Sequence, residues 1–143
     1  MLCTIGYQGK TVGEFIGRLE NFRVSTLIDV REIPISRKKG FSKTSLSQHL
    51  REHGIEYVHL GELGSPRALR HKLRKDNDYD YFFIEYSRHI KSHMQVIEAL
   101  RKTISDHICC IMCYEKLPEY CHRSIVAEEI RKSEGNGLVI QHI

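Results

Sequence analysis

No apolar run in this 143-residue chain approaches the roughly 18–20 residues that cross a bilayer as a helix. The start, Met1-Leu2-Cys3-Thr4-Ile5-Gly6, enters a short apolar stretch without the basic leader and cleavage site of a signal peptide. The expected setting is therefore the cytoplasm. Internal repeats, low-complexity tracts and linkers are also missing, and the length demands only one domain, residues 1–143. Cysteine is present, but not as a disulfide framework. Its five positions, Cys3, Cys109, Cys110, Cys113 and Cys121, are odd in number and mostly clustered. In a reducing compartment such thiols are free, metal-bound or catalytic.

A large excess of one charge is lacking too. The formal charge of +4 and pI near 8.8 permit an anionic partner without requiring one. The distribution is more informative than the total. Arg31, Arg37, Lys38, Lys39 and Lys43 face a single acid, Glu32, within one short segment, and Arg67, Arg70, Lys72, Arg74 and Lys75 form a second basic run.

Hydrophobic patterning alternates strand and helix. Apolar runs at 2–5, 24–30, 55–60, 108–113 and 138–142 read as strands, the second being β-branched and nearly continuous, as in a buried parallel strand. Thr11-Val12-Gly13-Glu14 matches a capping box, and Val12, Phe15, Ile16 and Leu19 mark one face of the helix it opens. Ser42 or Thr44 could cap a second helix ending at Gly54. Further helices are expected at about 66–75, 80–104 and 123–133. The sum is a single α/β domain with a mainly parallel sheet of about five strands flanked by helices.

In such sheets ligands bind outside the carboxyl ends of the strands. The residues placed there are Gly6-Tyr7, Asp29-Val30-Arg31, Leu60-Gly61 and Cys113-Tyr114-Glu115. These residues, with Pro34 and Ser36, Gly40-Phe41-Ser42, Tyr57-Val58-His59-Leu60-Gly61, Leu63-Gly64, Cys121-His122-Arg123 and His142-Ile143, resemble the YeaO-like family, a domain-of-unknown-function family. The resemblance spans essentially the whole chain and implies a fold and a site, not a reaction. A weaker similarity links Leu27-Ile28-Asp29-Val30-Arg31-Glu32 and a Cys after a later strand to rhodanese-like domains. The segment after Cys113 departs from that pattern. It is longer, acidic and contains Pro118, and Glu119 stands six residues on, where a cysteine-phosphatase loop needs Arg.

Each candidate has a bland and a chemical reading. Asp29 and Arg31 either brace their loop as an ion pair, or Arg31 grips a phosphate or carboxylate while Asp29 acts as base. Glu115 either closes a loop or serves as acid or base, its pKa lifted by burial. Cys121, next to His122 and Arg123 at a helix start, is a packed thiol, a nucleophile or part of an anion site. Zinc could draw on Cys113, Cys121 and His122. The spacing, however, lacks the two short-spaced ligand pairs of structural sites, so no metal or other cofactor is assigned. The loop carrying Ser36, Lys38, Lys39 and Phe41 is a solvated face, or a phosphate- and base-binding surface with Tyr7 orienting the substrate.

The expected function is an enzyme acting on an anionic, phosphate-bearing substrate. DNA, RNA or a nucleotide-like molecule is the partner, or else a small anion, and no membrane is involved. Glu115 and Asp29 would share proton transfer, Cys121 would be the third catalytic candidate, and Arg31, His122 and Arg123 would hold the anion. Hydrolysis of a base–sugar bond is the most concrete chemistry such carboxylates permit. Two alternatives stand beside it, a thiol-dependent sulfur transferase and a non-catalytic nucleic-acid-binding module.

Overall fold

A computed structural model of the chain describes residues 1–135 and 137–143. Among them, strands β1 (Leu2–Gly6), β2 (Thr26–Asp29), β3 (Glu56–His59), β4 (Cys109–Cys113) and β5 (Ile140–His142) form one all-parallel sheet in the order β3-β2-β4-β1-β5. The α/β expectation is met. The second to fifth strands are each shorter than their apolar runs, although run ends such as Val30 and Leu60 still donate backbone hydrogen bonds to neighbouring strands, at 3.2 and 2.9 Å.

Alternation along the buried strands sends successive side chains to opposite faces. On one face Cys3, Ile5, Leu27, Cys110 and Met112 meet α1 (Val12–Asn21) and α2 (Lys43–Glu52), through Phe15, Leu19, Leu46 and Leu50. On the other, Leu2, Ile28, Cys109 and Ile111 meet α4 (Tyr79–Lys91), α5 (Met94–Ile104) and α6 (Arg123–Ser133). The remaining helix, α3 (Arg67–Asp76), buries no residue fully and packs against α4. Thr11 completes its capping box with Glu14 as expected, with reciprocal bonds of 3.1 and 2.9 Å.

Two local expectations fail. The span 80–104 is not one helix: it breaks at Ser92 and His93, whose side chains bond the His89 carbonyl at 2.7 and 2.9 Å and so compete with the helical ladder. Ser42 occupies the N-cap of α2, yet its hydroxyl donates to the Ser36 carbonyl at 3.1 Å instead of capping. It thereby ties the basic loop to the helix. No helix among the described residues is long and apolar enough to cross a membrane.

The connections after β1 and β2 cover one face, and those after β3 and β4 cover the other. Strands β2, β4 and β1 are neighbours, so their carboxyl ends open a crevice where the winding changes sides, the position open α/β sheets use for ligands.

Candidate active site at the carboxyl edge of the sheet

Asp29 ends β2 with no solvent exposure. Arg31 grips it with a two-pronged fork, Nε to Oδ1 at 2.9 Å and Nη2 to Oδ2 at 2.7 Å. Tyr57 donates to Oδ2 at 2.6 Å and the Arg31 amide to Oδ1 at 3.1 Å. The remaining Arg31 nitrogen donates to the Phe41 carbonyl at 2.8 Å. Every polar atom of the pair is spent inside the protein. Asp29 thus braces the basic loop on the sheet, and the Arg31 fork is engaged by it. A buried charge pair of this kind persists because breaking it strands a charge.

Glu115 sits two residues beyond β4 in a loop pinned from several sides. Tyr7 and Gln8 donate backbone N–H groups to the carbonyls of Cys113 and Tyr114 at 3.2 and 2.9 Å. Gly6 allows the tightest approach: a Cβ there would lie 1.7 Å from the Glu115 carbonyl oxygen. Arg123, 1% exposed, donates to the Glu115 and Lys116 carbonyls at 2.5 and 3.1 Å. Arg123 is therefore a loop clamp rather than an anion ligand. Its Nε donates to the Thr4 hydroxyl at 3.4 Å, so all three guanidinium nitrogens have partners inside the protein.

The clamp leaves the Glu115 side chain unusual. Its Oε2 is buried and has no hydrogen-bond partner among the described residues. Desolvation, reinforced by the Cys121 sulfur, pushes this carboxyl up from its ordinary 4.5 to about 7.

Next to it lies a thiol–imidazole cluster. His122 Nε2 donates to the Val30 carbonyl at 2.9 Å, which turns Nδ1 toward Cys113 Sγ at 3.7 Å and Cys121 Sγ at 4.0 Å. Burial opposes a Cys121 thiolate, but the Cys113 thiol, His122 and Arg123 outweigh it and hold its pKa well below that of a free thiol. Cys113 moves the opposite way, because it donates its S–H to Cys121 and is buried. His122 is raised: desolvation would lower it, and the Cys121 charge reverses the sign. The three donor atoms lie within 4.8 Å of one another, a set a thiophilic ion could also take. These are the three residues the sequence offers as possible zinc ligands, although their spacing along the chain is only a weak signal.

Above this floor opens a cleft of about 570 Å³. Tyr7, Arg31, Ser36, Lys38, Glu115 and His122 line it, together with Cys113, Tyr114, Arg37, Arg70, Arg74 and the acid Glu32. Cys121, Asp29, Arg123, Lys39 and Phe41 do not reach it. Phe41 is fully buried, stacked on the Tyr7 ring at 4.6 Å and edge-on to Phe15, so it packs the core instead of stacking on a base. Lys39 points to solvent outside the cleft.

A family model described as Domain of unknown function DUF488 matches residues 11–130. The chain belongs to this family. The YeaO-like resemblance is consistent with that membership. No curated protein and no solved structure matches the chain. In this DUF488 domain the basic loop, Arg70, Arg74 and the Cys113–His122 segment fall inside the matched span, whereas Gly6 and Tyr7 precede it. Tyr114 follows the fourth strand and Arg70 and Arg74 belong to the second basic run, which places them at this sheet edge; the structure puts all three in the cleft lining. The i, i+4 spacing of Arg70 and Arg74 puts both on one face of α3. That face turns toward the crevice only because α3 follows β3, whose end lies at the same sheet edge.

Proposed function

We propose that this DUF488 domain is an enzyme acting on a phosphate-bearing, nucleotide-like anion held in the cleft. Glu115 is the group that moves the proton. The observation that carries the reading is the buried, unpartnered Oε2 of Glu115 on the floor of a cleft walled by Arg37, Lys38, Arg70 and Arg74. Glu115 lines the cleft, and a carboxyl titrating near 7 can both take a proton and give one. Arg70 is paired with Glu32 at 3.1 Å, so the complementary charge for phosphate comes chiefly from Arg37 and Arg74, which form no ion pair among the described residues. Five buried free thiols suit the reducing cytoplasm in which such an enzyme works.

Hydrolysis of a base–sugar bond fits these parts. Glu115 removes a proton from water, the water oxygen bonds to the anomeric carbon, and the base leaves with the bonding electron pair and is then protonated. With Asp29 locked away, a single carboxylate carries this step. The test screens nucleosides, nucleotides and oligonucleotides for base release by chromatography. On the substrate found, Glu115→Gln is expected to lower kcat by about 10²–10⁴-fold, and reversing Arg74 to Glu is expected to raise KM. Full turnover by Glu115→Gln overturns the assignment.

A second reading, sulfur transfer, has its own support in the 3.7 Å approach of His122 to Cys113, the one thiol lining the cleft. In that reaction the thiolate attacks the outer sulfur of a persulfide donor, the S–S bond breaks, and the donor leaves as a thiolate. It ranks second because the favoured thiolate is Cys121, which lies off the cleft, while the accessible Cys113 holds its proton. A purely non-catalytic binding role would leave the floor of the cleft without a use.

A further inference from the structure

We infer that the substrate is a single-stranded nucleic acid lying along a two-compartment groove, rather than a free mononucleotide or a duplex. This rests on the proposed reading of Glu115 and extends it to the substrate's form. A second cleft of about 430 Å³ adjoins the first and shares Ser65, Arg70, Arg74, Tyr114 and Glu115 with it. Each compartment has the volume of a small-molecule site, roughly 300–1,000 Å³. Two such chambers, joined at the Glu115 loop, match successive units of a polymer better than one small anion.

The walls have the chemistry of a single-strand channel. Tyr114 and Tyr120, each 47% exposed, line the groove, Tyr114 in both compartments and Tyr120 in the second. Both rings are held rather than loose. Tyr114 stands edge-on to Tyr7 at 5.3 Å and Tyr120 edge-on to Tyr79 at 5.1 Å. Arg74 borders both compartments, Arg37 borders the first, and among the described residues neither forms an ion pair. Exposed large rings in the same groove as unpaired cations bind bases by stacking and phosphates by charge, without sequence readout. An acidic peptide would use the cations and leave the rings idle. A duplex keeps its bases stacked inside, out of reach of a carboxylate on a cleft floor, so the reacting base must already be unpaired or be extruded.

The experiment measures fluorescence anisotropy with labelled six-nucleotide single strands, a duplex of the same length, an acidic hexapeptide, and competition by thymidine monophosphate, each across a salt series. The single strand is expected to bind at least tenfold more tightly than the duplex or the mononucleotide, with affinity falling steeply as salt rises. Tyr120→Ala is expected to weaken the single strand roughly 5- to 150-fold and to leave the mononucleotide's affinity unchanged. Arg74→Ala is expected to weaken both and flatten the salt dependence. If the mononucleotide binds and the longer strand gains nothing, the groove inference is wrong while the anion reading stands. If no nucleic acid or nucleotide binds even at low salt, both fall. Equal binding of duplex and single strand, insensitivity to Tyr120→Ala, or preference for the peptide also overturns the inference.

Discussion

The unusual state of Glu115 has a consequence for folding that needs no knowledge of the substrate. In the folded chain its carboxyl is raised from 4.5 to about 7, chiefly by desolvation, and Arg123 and Gly6 keep its loop from moving out to water. A raised folded pKa means that the native state holds the proton over a range where the unfolded chain has lost it. Stability from this group is complete below about pH 4.5 and drains away as the pH climbs to about 7. Moving a carboxyl over that interval corresponds to about 3 kcal/mol. Glu115→Gln has nearly the shape of the protonated acid and no charge to bury. Urea denaturation of the two proteins is expected to give equal stabilities near pH 4.5, with the variant about 3 kcal/mol more stable by pH 8. Comparing the two cancels the titration of all other groups that behave alike in both. A constant difference across the range, or a variant that is less stable at pH 8, would show that the carboxylate is solvated or paired and would refute the reasoning.

Three other outcomes follow from the same geometry. Asp29→Asn removes one charge of the buried pair and strands Arg31, so it is expected to cost about 3–5 kcal/mol in chemical denaturation; a stable protein that has lost turnover would restore Asp29 as a catalytic group. Gly6→Ala drives a methyl into the Glu115 carbonyl and is expected to cost about 1–3 kcal/mol or more, and to change the Glu115 titration seen by carboxyl-carbon NMR. An unchanged titration would mean that Gly6 does not position the loop. Mass spectrometry after exposure to a persulfide donor is expected to show no stable gain of about 32 Da, given that the accessible thiol holds its proton. A gain of that size, lost in Cys113→Ser, would promote sulfur transfer to the leading reading.

Much of the architecture was written in the sequence because local periodicity reports burial. Strand runs bounded by glycine and polar turns, and the Thr11–Glu14 capping box, are decided within a few residues. The misplaced boundary at Ser92-His93 shows the limit. Apolar spacing continues through the break, and only the side chains' capture of the His89 carbonyl ends the helix. The location of the site was also legible, since the carboxyl edge of a parallel sheet collects the residues that follow its strands. Residue type alone therefore brought out Tyr7, Ser36, Lys38, Glu115 and His122, all of which line the cleft.

What tertiary structure alone decided is which polar groups are already satisfied. Sequence shows that Asp29, Arg31, Arg123 and Glu115 share an edge, but it does not say who bonds whom. Packing answers this: Asp29 and Arg31 consume each other, Arg123 is absorbed by two carbonyls, and Phe41 disappears beneath Tyr7. The same packing joins Cys113 to Cys121 and His122 across a loop, turning a grouping the sequence offers only weakly into a contact. Among the described residues, Glu115 Oε2 is the buried side-chain polar atom that packing leaves without a partner. That accounting is a property of three-dimensional contacts, and here it leaves Glu115.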